Sequence, residues 1–192
     1  MGTRYRAILR FLGKEALLAD KDHNPDHIKC LADQSNGIVI ATPTATHAQV
    51  IRTVMGSGKP ILCEKPITKN VAELKELATQ IKSPFRMVFQ YQLLAGKNRI
   101  GRSHYDYFRH GNDGLVWDCL QIIALARSAP LLRETSPMWS SMINGKALNI
   151  AHMDAAYMAY VQAWFKYPAQ DMGEIIGIHE KVDAFEKGFQ FA

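Results

Sequence analysis

Along the first half of the chain, apolar positions alternate between a helical period and short continuous runs. Tyr5, Ile8, Leu9 and Leu12 recur at helical spacing among basic residues, so residues 3–13 read as an amphipathic helix closed by Gly13. Residues 16–19 form a short apolar run that ends in Asp20, the pattern of a buried strand with an acid at its C-terminal tip. Asn24-Pro25-Asp26 is a helix start: Asn caps, Pro is tolerated in the first turn, and Asp suits the positive end of the helix dipole. That helix runs to about Asp33. Residues 37–41, Gly-Ile-Val-Ile-Ala, are a β-branched run between turn signals, as in a strand covered on both faces. Thr42-Pro43-Thr44 breaks it, residues 45–55 return to the helical pattern, and Gly56-Ser57-Gly58 ends that helix. Residues 60–63 give another strand. Asn70 with Glu73 makes a capping box for a helix reaching Ile81, and residues 86–91 complete the series as a strand. The alternation predicts a parallel, doubly wound α/β sheet.

Beyond Gly96 the texture changes. Residues 102–108 alternate like a half-exposed strand, 115–127 form an apolar helix, and Asn144-Gly145 is a hairpin signal between strands at 138–143 and 146–150. Helices at 153–166 and 171–189 follow, separated by Pro168. The expected division is a first domain over 1–95 and a small α+β unit over 96–192.

Composition narrows the class. The 192 residues are 47% hydrophobic, enough to bury a core. The net charge of +5 is dispersed among acids along the whole chain, so it marks neither a nucleic-acid face nor a membrane surface. Cys30, Cys63 and Cys119 are odd in number, widely spaced and set in apolar surroundings, the pattern of reduced core thiols. No apolar run is long enough to span a bilayer, and residues 1–6 do not lead into a cleavage pattern, so a cytoplasmic protein is expected. His23 and His27 could present two nitrogens on one helical turn, but the helix start accounts for the local composition and no metal is expected. The aromatic residues Trp117, Trp139, Tyr157, Tyr160, Trp164 and Phe165 are expected in the core or at an interface.

One stretch carries chemistry. Ala41-Thr42-Pro43-Thr44, then His47, then Gly58-Lys59-Pro60-Ile61-Leu62-Cys63-Glu64-Lys65-Pro66-Ile67 closely resembles the signature of the Gfo/Idh/MocA oxidoreductase family. The resemblance implies an incomplete Rossmann-like sheet over 1–95, followed by a reduced substrate or dimerisation unit. It implies that the Thr-Pro turn and the Glu-Lys-Pro turn line the nicotinamide half of a cofactor cleft, with Lys65 beside the reacting carbon as a catalytic group. In a doubly wound sheet ligands bind outside the carboxyl ends of the strands, where Thr42, Thr44, Glu64 and Lys65 all fall. By the same resemblance Asp20, Thr42, Pro43, Thr44, His47, Glu64, Lys65 and Pro66 are the cofactor-binding candidates, Asp20 on the adenosine ribose. Lys21 and His23 leave NAD against NADP open. Plainer readings stand beside these: Asp20 as a solvated turn acid, Lys65 as a solvated lysine with Glu64 as its surface partner, and His47 as a first-turn residue satisfying local backbone groups.

Departures from the family pattern set a second expectation. The sequence begins at Met1-Gly2, where the glycine-rich phosphate turn would end, so the first strand and most of that turn are expected to be missing. The flanking strands would then pair directly, closing the crevice, or another segment or subunit would fill the gap. The interval 22–38 has room for one helix only. Gln92 stands where the family has arginine. Residues 114–122 resemble a segment whose Asp and His approach substrate; Asp118 is kept as a catalytic candidate, but Leu120 replaces Gly and Ile122 replaces His, and isoleucine cannot carry a proton. The reading is a descendant of an NAD(P)-dependent oxidoreductase with ordinary dehydrogenase activity impaired or lost, and with NAD, NADP or no cofactor. The alternatives are a reduced but active enzyme on a small-molecule substrate, and a non-catalytic binding, scaffold or nucleotide-binding subunit, the last using Met1, Arg4 and Arg6. A homodimer is the expected assembly.

Overall fold

The computed structural model describes residues 1–20, 23–88 and 150–189. The chain divides into two compact units, one of Met1–Val88 with Ala163–Ala192 and one of Phe89–Gln162. In the first unit three short strands, β1 (Ile38–Ile40), β2 (Ile61–Cys63) and β3 (Phe85–Met87), form a parallel sheet in the order β1-β2-β3. Ile38 faces Ile61, and Ile61 faces Phe85, so the three strands start level. Ile61, Leu62 and Cys63 are wholly enclosed, as a central strand covered on both faces must be.

Helices α1 (Gly2–Phe11), α2 (Pro25–Gln34), α3 (Thr44–Val54) and α4 (Val71–Gln80) carry the chain around this sheet. Each begins where local chemistry dictates. Asn24 accepts the Asp26 amide with its side chain, and Asn70 accepts those of Ala72 and Glu73. Only the Asn70 half of the expected capping box is seen, because the Glu73 carboxylate turns to Arg52 at 3.5 Å. Between α3 and β2 a single 3-10 turn, Met55–Ser57, ends at Gly58, whose φ of 69° lies in the left-handed region that glycine alone adopts without strain. The core faces of α3 and α4 supply Ile51, Val54, Leu74 and Leu77, all fully buried; each such side chain contributes about 1.5–3 kcal/mol.

Two more helices are described, α5 (Ile150–Lys166) and α6 (Met172–Phe189). α6 packs on α4, with Lys75 and Glu180 paired at 2.7 Å on the surface. The end of α5 belongs to the first unit, where the Trp164 ring lies over the start of β1. A Cβ on Gly37 would sit 2.8 Å from that ring, so the approach requires glycine. Of the second unit only the first part of α5 is described, and Tyr157 and Tyr160 on it are buried.

The α/β class and the parallel sheet are as the sequence led one to expect, while particular elements differ. Residues 16–19, expected as a strand, run without strand pairing, and Leu17 and Leu18 are half exposed. A strand needs a partner, and these residues have not closed onto β1. Ile38 donates to the Pro60 carbonyl and Ile40 accepts from the Glu64 amide, each at 2.8 Å, so both face β2 and Val39 turns its backbone groups to the edge away from β2. Cys30, expected in the core, is exposed on α2, whereas Cys63 is buried as expected. Of the aromatic residues expected in the core or at an interface, Trp164 is buried in the core, and its neighbour Phe165 is 46% exposed. Ile150, expected to end the hairpin, is the first residue of α5. The rest of that hairpin, the strand at 102–108, the helix at 115–127, and Gln92, Trp117, Asp118, Cys119, Leu120, Ile122 and Trp139 lie outside the described residues. No described helix is long and apolar enough to cross a membrane.

Candidate functional site

The chain leaves β1 through Thr42-Pro43-Thr44. Pro43, with φ of −59°, turns it directly into α3, and its carbonyl accepts the Thr46 amide at 2.9 Å. The Thr46 hydroxyl lies 2.8 Å from that carbonyl and 2.9 Å from the Thr42 hydroxyl. A hydroxyl has one proton, so when Thr46 donates to Pro43 it accepts from Thr42. One turn into α3, His47 is 1% exposed. Its Nε2 lies 2.8 Å from the Thr42 carbonyl and its Nδ1 2.8 Å from the Pro66 carbonyl. Both partners are carbonyls, which only accept, so the ring donates to one of them as a neutral imidazole and to both as an imidazolium. Through this ring the turn after β1 is tied to the turn after β2. That is the backbone-satisfying arrangement, one of the two readings open for His47.

The second turn is Glu64-Lys65-Pro66, with a cis peptide between Lys65 and Pro66. Glu64 is not a surface partner for its neighbour: it is 7% exposed. Tyr5, reaching from α1, donates its hydroxyl to Glu64 Oε1 at 2.7 Å, and Glu64 Oε2 accepts the Lys65 amide at 3.3 Å. Burial and, secondarily, the charge of Glu64 push the Cys63 thiol well above its usual pKa, so this thiol stays protonated. Its Sγ donates to the Glu64 carbonyl at 3.4 Å. Beyond Pro66 the Ile67 amide donates to Nε2 of His179, on α6, at 3.3 Å. Lys65, half buried, thus projects from a turn gripped by α1, α3 and α6.

Beside these turns lies a groove of about 1190 Å³. α1 lines it with Gly2, Thr3, Tyr5 and Arg6; residues 14–20 form its opposite wall, and β1 with Thr42 and Pro43 forms its floor. Met1 makes no side-chain cap to α1 and the first turn has no acid. The amides of Gly2 and Thr3 precede the first intrahelical bonds, which Arg4 and Tyr5 make to the Met1 carbonyl. An anion is favoured at such an end, and Arg6 and Lys14 add positive charge along the same groove. Asp20 and Glu15, both exposed, are the groove's acids, and the Asp20 amide donates to His23 Nδ1 at 2.7 Å.

Of the candidates read from the sequence, Asp20, Thr42 and Pro43 meet on the groove. His47, Glu64, Lys65 and Pro66 meet at the adjoining turns, and Thr44 opens α3 between the two. Asp118 lies outside the described residues. Sequence reading missed Tyr5 and His179. Tyr5 was visible only as one apolar position of an amphipathic helix, and His179 as one polar residue in a helix more than a hundred residues from the turn it holds. Among the described residues no three His, Cys, Asp or Glu side chains are grouped to hold a metal ion.

Residues 14–92 match the Gfo/Idh/MocA family model, described as an oxidoreductase family with an NAD-binding Rossmann fold. An uncharacterized oxidoreductase of Schizosaccharomyces pombe is 29% identical over 97 residues, 42% of this chain and 26% of that protein. The inositol 2-dehydrogenase 1 of Saccharopolyspora erythraea is 24% identical over 135 residues, 70% of this chain and 38% of the relative. An inositol 2-dehydrogenase of Rhizobium meliloti is 31% identical over 108 residues, 55% of this chain and 31% of that enzyme. The matches thus span well under half of each relative's length.

Proposed function

This chain belongs to the Gfo/Idh/MocA oxidoreductase family, and from that premise we propose that it is a dinucleotide-binding descendant whose ordinary dehydrogenase turnover is impaired or lost. The observation that carries the reading is the groove that brings Asp20, Thr42 and Pro43 together beside the uncapped end of α1. Its residues fit NAD or NADP. The Gly2 and Thr3 amides with Arg6 and Lys14 suit the diphosphate, Asp20 suits ribose hydroxyls, and the Thr42 and Glu64-Lys65-Pro66 turns suit the nicotinamide end. When bound, the dinucleotide supplies hydride chemistry. Lys65, in the turn next to the groove's Thr42 and Pro43, can polarise an oxygen or pass a proton there. The reading of impaired turnover rests on Ile122, which stands in the family's histidine position and has no proton to pass.

A thermal-shift titration with NAD, NADH, NADP and NADPH tests the reading, on the wild type and on Asp20→Ala and Lys65→Ala. A nucleotide at a hundred times its Kd stabilises the native state by about 2.7 kcal/mol, or roughly 5–10 °C at this chain length. A shift of that order with one nucleotide, lost in Asp20→Ala, is the expected result. With that nucleotide bound, inositol and other polyols should give no hydride transfer above background. No shift with any nucleotide at millimolar concentration overturns nucleotide binding and turns attention to a macromolecular partner. Rapid turnover of a polyol would overturn the loss of activity.

A further inference from the structure

The Pro66–Ile67 peptide is held from both sides. Its carbonyl faces His47 Nδ1 at 2.8 Å, and its N–H donates to His179 Nε2 at 3.3 Å. Because Nε2 accepts, the proton of the neutral His179 ring sits on Nδ1, which lies 2.9 Å from the Ile175 carbonyl one turn back on α6. Both imidazoles are enclosed, His47 at 1% and His179 at 2% exposure. Packing of α6 on α4 needs only an apolar side chain at position 179. The histidine adds an acceptor for a buried amide two residues past Lys65, an amide that neither the sheet nor α4 satisfies in this geometry. We propose that His179 is a positioning residue of the Lys65 turn: through it α6 sets the place from which the Lys65 side chain projects. The functional weight of that position rests on the nucleotide-binding reading. The positioning itself does not.

The test is therefore made first without nucleotide. Reductive methylation with 13C-formaldehyde gives Lys65 a dimethylamine resonance, assigned by its loss in Lys65→Arg. It is compared in the wild type and in His179→Gln, His179→Asn and His179→Leu, together with hydrogen exchange of the Ile67 amide. Gln can reach Ile67 with its amide oxygen, Asn stops one bond short, and Leu offers no acceptor. The expected result is an Ile67 amide that exchanges about tenfold or more faster in Asn and Leu, with the β2 amides unchanged and the Lys65 resonance displaced. Gln should restore both. If Leu does not fold, the Asn and Gln pair decides. An Asn variant with wild-type Ile67 exchange, or with an unmoved Lys65 resonance, overturns the proposal even if nucleotide binds. Absence of nucleotide binding with the expected Lys65 pattern overturns the nucleotide reading alone. If nucleotide binds, its Kd should rise several-fold in Asn and not in Gln.

Discussion

Acid should loosen the native state through His179 in a window that the burial of its ring defines. Burial lowers its pKa from the ordinary 6.5 to about 4, against a smaller upward pull from the hydrogen bond to Ile175. The unfolded chain therefore takes up the proton near 6.5, and the native protein only near 4. The stabilisation is full above the unfolded value and is lost as pH falls through the interval, because there the unfolded state binds the extra proton. Each pH unit within the interval removes about 1.4 kcal/mol, so the loss is about 2 kcal/mol near pH 5 and about 3 kcal/mol below the native pKa. Urea unfolding of the wild type and His179→Gln at about pH 7.5 and about pH 5 isolates this contribution, since the carboxylates titrate alike in both proteins. The advantage of the wild type over Gln at the higher pH should shrink by about 2 kcal/mol at the lower one. A gap that stays constant between the two conditions would refute the neutral, buried imidazole.

Two further outcomes follow from single contacts. Tyr5→Phe removes the hydroxyl that donates to the enclosed Glu64 carboxylate and should cost about 1–3 kcal/mol in urea unfolding, with Glu64→Gln in the same background recovering part of it; a loss below about 0.5 kcal/mol would show that the contact is not made. Gly37→Ala places a methyl 2.8 Å from the Trp164 ring and should cost about 1–3 kcal/mol, a penalty relieved when Trp164 is also changed to Leu; additive losses in the double variant would mean that the ring does not lie over β1.

Much of the fold was legible because its signals are local. The caps at Asn24 and Asn70, the stop at Gly58, the β-branched run before Thr42 and the apolar run before Glu64 each act within a few residues, and the structure places helices and strands accordingly. Residues 16–19 were misread for a non-local reason. Their apolar run is strand-like, but a strand exists only with a neighbour, and these residues stand across the groove from β1 without pairing to it. Cys30 shows the same limit on a smaller scale. An apolar sequence neighbourhood placed it in the core, while the helix phase turns it outward to Gln34, 3.2 Å away.

The site divides along the same line. Thr42, Glu64 and Lys65 could be named as candidates because strand ends are marked in sequence, and strand ends are where such sheets present side chains to ligands. What holds those side chains could not be found that way. Glu64 is fixed by Tyr5 from 59 residues away, and the Pro66–Ile67 peptide by His179 from 112 residues away, in helices whose own periodicity says only that they are amphipathic. A buried Tyr, Glu or His would be costly without its partner. The four polar side chains enclosed around Lys65, those of Tyr5, His47, Glu64 and His179, are thus better accounted for by the position they impose on that turn than by the stability they add to a core that leucine or phenylalanine could fill.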